Sequence, residues 1–210
     1  MRIVLATHNA GKVPELRAIL RESIGEAFDD VELTTAGELG LPDPVETGVT
    51  FSENALLKAR FVAEKSGSPA IADDSGLIVD VMGQAPGILS ARWAGKHGDS
   101  AANNALLLAQ ISDIPDEKRT ARFMCAAALV IPGENGAREV VETGECPGRV
   151  LREEKGKKGF GYDPLFLPDE QADPEHPLTF AQMSEQQKDA ISHRGKAMRK
   201  LAADVTSLLF

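Results

Sequence analysis

Residues 71 to 76, Ile-Ala-Asp-Asp-Ser-Gly, constrain this chain more than any other stretch. The apolar run 70–72 reads as the end of a strand, Ser75 and Gly76 read as a turn, and 77–81 reads as a second strand. Two acids, Asp73 and Asp74, then stand at a strand's carboxyl end, where α/β folds place metal and phosphate chemistry. The other reading is a plain polar turn, since Asp, Ser and Gly are the usual turn residues. The rest of the chain favours the first.

Before the acids, residues 2–6 (Arg-Ile-Val-Leu-Ala) read as a strand, and Val13, Leu16, Ile19 and Leu20 recur at helical spacing. Pro14 falls in that helix's first turn, where its missing N–H costs nothing. A second helix is predicted from Thr50, with Thr50 and Glu53 as a capping box and Gly67 just past its end. A third fits 100–111 behind Asp99 as N-cap. The stretches 120–131 and 138–145 read as a β-hairpin, and 148–152 and 165–167 as two more strands around a Gly-rich loop. The segment 168–177 holds three prolines and reads as loop. Ser184 and Gln187 form another capping box, opening a helix that leads to Ser192, His193 and Arg194, and a last helix runs to Leu209. No stretch reads as an interdomain linker and residues 22–43 match no motif. The expectation is one α/β domain over 1–210, with a helix-rich part and a meander-like part forming two lobes.

Composition bounds the partners. At 210 residues the chain can bury a large core, and 42% hydrophobic with 26% charged residues is ordinary for a globular protein. With no run of 18 apolar residues and no basic-plus-apolar leader, neither a membrane span nor a signal peptide is expected. Cys125 and Cys146 lack metal spacing and read as buried thiols rather than a disulfide, which suits a reducing cytoplasm. A net charge of −9 argues against a nucleic-acid polymer as partner, but not against a small phosphorylated ligand met by a local cluster of cations.

Such a cluster is legible. Thr7-His8-Asn9-Ala10-Gly11-Lys12 joins the first strand to the first helix, where unbonded N–H groups and the helix dipole favour an anion. Thr7 and Asn9 offer hydrogen bonds, Gly11 close backbone approach and Lys12 a charge. It is not a Walker loop, since no Ser or Thr follows Gly-Lys. Glu46 precedes the second helix, and Asn54 and Lys58, spaced i and i+4, share one of its faces. Magnesium needs only one or two carboxylates beside phosphate oxygens and water, so Glu46 with Asp74, and Asp73 as a further candidate, would suffice. Gly159-Phe160-Gly161-Tyr162-Asp163-Pro164 puts an aromatic between glycines. That arrangement reads either as a platform for a base or as a tight turn with its rings in the core. His193 is an interior or surface histidine on its own evidence, and no histidine pair has zinc-ligand spacing.

Six blocks in order resemble the ITP/XTP pyrophosphatase family: Thr-x-Asn-x-x-Lys at 7–12, Glu-Thr-Gly-x-Thr-Phe-x-Glu-Asn-Ala at 46–55 and Ala-Asp-Asp-Ser-Gly-Leu at 72–77, then Ala-Pro-Gly-Ile-x-Ser-Ala-Arg at 85–92, Gly-Phe-Gly-Tyr-Asp-Pro at 159–164 and Ser-His-Arg-Gly at 192–195. The resemblance covers essentially the whole chain. It implies an elongated mixed β-sheet with flanking helices, two lobes around a central substrate cleft, and a homodimer. It also implies Mg²⁺-dependent hydrolysis of deaminated purine nucleoside triphosphates (ITP, dITP, XTP) to monophosphate and pyrophosphate.

On this resemblance Asp74 is the catalytic residue, and Glu46, Asp74 and Asp73 are the metal ligands. Thr7, His8, Asn9, Ala10, Gly11, Lys12, Lys58, Ser75, Phe160, Gly161, Tyr162, Asp163, Lys188, His193 and Arg194 surround the substrate, with Phe160 stacked on the purine. Whether Asp74 is chiefly base or chiefly metal ligand stays open. His8 and Tyr162 depart from residues common in relatives. Two other readings are a septum-associated nucleotide pyrophosphatase, separated by its preference for pyrimidine or modified nucleotides, and a nucleotide sensor without turnover, separated by pyrophosphate release.

Overall fold

The computed structural model describes residues 1–7 and 13–210, Glu15 by its backbone alone. It is a mixed α/β structure around a six-stranded sheet of order β2-β1-β3-β4-β5-β6. The strands are β1 (Arg2–Leu5), β2 (Glu32–Thr35), β3 (Ala70–Val79), β4 (Thr120–Ile131), β5 (Arg138–Val150) and β6 (Phe166–Pro168). β1 pairs in parallel with β2 and β3, and β5 pairs antiparallel with β6. Among the described residues the α-helices are α1 (Val13–Ile24), α2 (Phe51–Ser66), α3 (Ser100–Gln110), α4 (Glu185–Ile191) and α5 (His193–Leu209).

The chain divides into two compact units, with boundaries inside β3, β4, β5 and the first turn of α5. The first comprises Met1–Asp74, Cys125–Gly144 and Arg194–Phe210. Its core joins Ile3 and Leu5 of β1 to Leu16, Leu20 and Ile24 of α1 and Met198, Leu201 and Val205 of α5. Both helices present these residues at the i, i+3/i+4 spacing that makes one apolar face. The second unit comprises Ser75–Met124 and Glu145–His193, and its core gathers Leu77, Leu107, Ile111, Phe123, Phe166 and Phe180. Phe123 meets Phe166 edge-on at 4.7 Å between ring centroids, a favoured aromatic geometry.

Helix ends follow the sequence closely. Thr50 accepts from the Glu53 N–H at 3.1 Å, and Gly67 closes α2 with φ +63°. The Glu53 carboxylate, however, accepts from the Val49 N–H at 2.7 Å rather than from Thr50, so the expected reciprocal box is only half formed. At α4 the box is complete, Ser184 and Gln187 each capping the other's N–H. Asp99 caps α3 through the Ala102 N–H.

Two strand readings are corrected. The expected turn at Ser75–Gly76 is absent: β3 runs unbroken for 10 residues through both acids and these two residues. The stretches 138–145 and 148–152 merge into one 13-residue strand, β5, carried through Pro147 and Gly148 and ending at Val150. β2 lies within 22–43, the stretch that matches no motif. Cys125 and Cys146 are buried thiols. Among the described residues no helix is long and apolar enough to cross a membrane.

Candidate active site

Because β3 does not turn at Asp73-Asp74, strand alternation sends the two carboxylates to opposite faces. Asp73 meets α5, where Arg194 donates its Nε to Asp73 Oδ2 at 3.1 Å. Both side chains are almost wholly buried, at 6% and 4% exposure. Asp74 meets α2. Lys58 Nζ donates to Asp74 Oδ1 at 3.0 Å and to Glu46 Oε1 at 2.9 Å, so one ammonium is shared by two carboxylates. Asn54, one helical turn before Lys58, donates to Asp74 Oδ2 at 3.4 Å.

Gly48 explains how Glu46 reaches this group. Its N–H donates to Asn54 Oδ1 at 2.8 Å, and a Cβ at Gly48 would meet that oxygen at 2.5 Å. Only glycine lets the Glu46-Thr47-Gly48 backbone lie so close to the start of α2. One asparagine therefore ties the Glu46 loop with its oxygen and touches Asp74 with its nitrogen.

The electrostatics follow from burial. Desolvation raises the Asp74 carboxyl above the usual range; the Lys58 charge opposes this and the Glu46 charge adds to it. For Lys58, burial lowers the ammonium, but the Asp74 charge, the Glu46 hydrogen bond and the Asp73 charge outweigh it, leaving its pKa raised. Lys58 thus stays charged, while Asp74 is a carboxylate more basic than an exposed one.

Thr7, at the end of β1, is half-buried, its N–H donating to the Leu5 carbonyl at 2.8 Å. His8, Asn9, Ala10, Gly11 and Lys12 lie outside the described residues. Ser75 follows Asp74 along β3 and is half-buried.

The second unit holds the aromatic loop. Gly159 and Gly161 adopt φ +71° and +61°, left-handed conformations that glycine takes without strain. Asp163 Oδ2 accepts from the Phe160 N–H at 2.8 Å and from Lys188 Nζ at 2.7 Å, closing the loop on itself and on α4. The same ammonium lies 5.0 Å from the Phe160 ring centroid, a cation–π distance. The Phe160 ring is 56% exposed, an uncommon fate for a large apolar side chain. Tyr162, by contrast, is buried, and its hydroxyl donates to the Ser90 carbonyl at 2.9 Å. Burial pushes that phenol above its ordinary value, so it remains a donor through the neutral range. His193 is buried and stacks on Phe123, 4.8 Å between centroids and 11° between planes.

Lys58 therefore joins Glu46 and Asp74, Asp73 pairs with Arg194, and Phe160, Asp163 and Lys188 form a set in the second unit. Sequence reasoning missed several supports. Arg119, buried, donates to the carbonyls of Ile111, Val150 and Leu151, bracing the strand that leads into the aromatic loop. Ser90 takes the Leu77 N–H at 2.9 Å and donates to the Gly87 carbonyl at 2.6 Å, giving the 85–92 block a structural use. Asn103 and Asn104 are both buried on α3. The signal for this pair was available: they share a helical face with Leu107 and Ile111, where apolar residues belong.

A model of the Ham1 family matches residues 3–204. The chain belongs to the Ham1 family. The resemblance read from its six blocks is thereby borne out. Among Ham1-type relatives, a dITP/XTP pyrophosphatase of Bifidobacterium longum (strain DJO10A) is 55% identical over 251 aligned positions that span 100% of both chains. A dITP/XTP pyrophosphatase of Streptomyces coelicolor is 53% identical over 208 positions, 99% of this chain and 98% of that one. The solved structure of a HAM1 protein from Coxiella burnetii matches with a TM-score of 0.84 at 39% identity, covering 99% of each chain.

Proposed function

We propose that this protein is a metal-dependent nucleoside triphosphate pyrophosphatase acting on the deaminated purine nucleotides ITP, dITP and XTP. The observation that carries the reading is the contact of Glu46, Lys58 and Asp74. Two carboxylates around a cation, with a basic Asp74 among them, suit phosphoanhydride hydrolysis. The names of the full-length relatives support the substrate class.

The donor set fits a hard divalent cation. Glu46 and Asp74 would supply carboxylate oxygens beside substrate phosphate oxygens and water, whereas Asp73, expected as a further ligand, lies on the other face of β3 and pairs with Arg194. When bound, the cation would neutralise phosphate charge and favour departure of pyrophosphate.

The chain's own residues do the rest. Lys58, held charged beside the carboxylates, would offset charge on the phosphates. Asp74 would orient water and take its proton as water adds across the α–β anhydride, yielding monophosphate and pyrophosphate. Thr7 to Lys12 and Ser75 are assigned to phosphate and sugar oxygens. Phe160 is assigned to stacking on the purine, with Gly161, Tyr162, Asp163, Lys188, His193 and Arg194 around base and ribose. The residues act as one domain over 1–210. The reading places the enzyme in the cytoplasm, where its buried thiols stay reduced, clearing deaminated nucleotides from the pool.

Pyrophosphate release from ITP with Mg²⁺ tests the reaction directly. Turnover should appear with the cation and vanish on exhaustive chelation, returning when Mg²⁺ is restored. Full activity in excess chelator would sink the metal role, and absence of pyrophosphate with Mg²⁺ present would sink the enzyme reading itself.

The protein is also proposed to be a homodimer, on the strength of the family resemblance. Sedimentation equilibrium at micromolar concentration should return about twice the monomer mass of 22.4 kDa. A monomer mass there would count decisively against it.

A further inference from the structure

Two adjacent asparagines on α3 hold separate segments of the second unit. Asn103 Oδ1 accepts the Ala94 N–H at 2.7 Å, and its Nδ2 donates to the Ala91 carbonyl at 3.3 Å. That ties down the turn after Ser90, whose carbonyl receives the Tyr162 hydroxyl. Asn104 reaches the aromatic loop itself. Its Nδ2 donates to Glu154 Oε1 at 2.7 Å and to the Gly161 carbonyl at 3.2 Å.

Asn104 is 3% exposed, and its Oδ1 is buried with no hydrogen-bond partner among the described residues. Burying an amide oxygen without a partner is unfavourable. For folding alone, a leucine in line with Leu107 and Ile111 would serve the stripe better. The asparagine is useful for its two donors, and both go to the segment carrying Phe160. Gly161 follows that residue and has no side chain with which to fix its own peptide.

We infer that Asn104 is a positioning residue for base recognition, setting the Phe160 ring by clamping the Gly161 carbonyl. The inference rests on the proposed assignment of Phe160 to the purine. It concerns a residue in none of the six sequence blocks, acting through backbone and not by touching substrate.

The test compares the two products as probes, IMP with its base and inorganic pyrophosphate without one, by titration calorimetry. Asn104→Leu and Asn104→Asp both delete the donors. Each should weaken IMP by about tenfold, as expected for one or two hydrogen bonds that hold the loop. Pyrophosphate affinity should stay within about twofold, and Asn104→Leu should keep or raise Tm. A purely structural role would lower Tm and weaken both probes together, and that result would overturn the inference, as would unchanged IMP affinity. If neither variant folds, Asn104→Ala decides, because it deletes both donors without adding bulk or charge. A severalfold loss of IMP affinity alone supports the clamp, and no change rejects it. Wild-type protein that fails to bind IMP would instead overturn the base assignment, a distinct outcome.

Discussion

Asp74→Asn should lose turnover by about 10²-fold or more, in the range for removal of a general base, while the protein folds as before. The substitution removes charge and basicity with almost no change of volume. Lys58 keeps its Glu46 contact, so the ammonium is not stranded. Stability should hold or rise. Burial raises the Asp74 pKa in the fold, so the folded state prefers the protonated acid. The stabilisation this gives is present at low pH and lost as pH rises through the raised value. At neutral pH the ionised group is a cost that the neutral amide removes, an exchange of stability for activity typical of catalytic positions. Protonation should do reversibly what the mutation does permanently, so wild-type activity should fall as the medium turns acid. Steady-state kinetics beside thermal melts read both halves. A variant keeping more than about a tenth of wild-type kcat would remove Asp74 from the chemical step.

This residue also shows where the sequence was legible and where it was not. The pairing of a buried acid with α2 was implicit in the i, i+4 spacing of Asn54 and Lys58, and the structure brings both to Asp74. What local rules misread was the backbone. Asp, Ser and Gly are turn residues when nothing else decides, but here Arg194 satisfies Asp73 and Lys58 satisfies Asp74, each on its own face. Partners distant in sequence thus make an extended strand out of a turn-forming string. Helix ends were readable because caps are local: Thr50, Asp99 and Ser184 all bond N–H groups within three residues. β2 was not, since Glu32–Thr35 has one buried side chain, Leu33, and depends on β1 for its register. β5 was split because Pro147 and Gly148 look like breakers. In the sheet, a Cβ at Gly148 would strike the Leu167 carbonyl of β6, so this glycine permits pairing and does not end it. Arg119 escaped for another reason: its partners are carbonyls, which leave no signature in side-chain spacing.

The other large effect concerns base choice. Hypoxanthine and xanthine carry an oxygen acceptor at position 6, where adenine carries an amino donor. Lys188 is an obligate donor: its ammonium gives one N–H to Asp163 and lies over the exposed Phe160 ring, with N–H directions remaining. Buried Arg194, the other donor assigned to the base, is also an obligate donor and has no acceptor to offer an adenine amino group. A purine stacked on Phe160 with its 6-oxo edge towards such donors would be accepted, and adenine would set donor against donor. Guanine shares the 6-oxo group but adds a 2-amino donor, so a second N–H aimed at position 2 would accept xanthine, tolerate hypoxanthine and reject guanine. Mispaired buried polar groups separate substrates far more strongly than a missing methylene does. The kcat/KM values for ITP and XTP should therefore exceed those for ATP and GTP by about 10²-fold or more. Lys188→Met keeps the apolar stem over the ring but removes every donor, and should erode this ratio more than it lowers kcat. Arg194→Ala should erode both rate and ratio, because it also removes the buried Arg194–Asp73 ion pair. Equal kcat/KM for ITP and ATP in the wild-type protein would end the deaminated-purine reading and leave a general nucleoside triphosphate pyrophosphatase. An unaltered ratio in Lys188→Met would move the selecting donor elsewhere in the site.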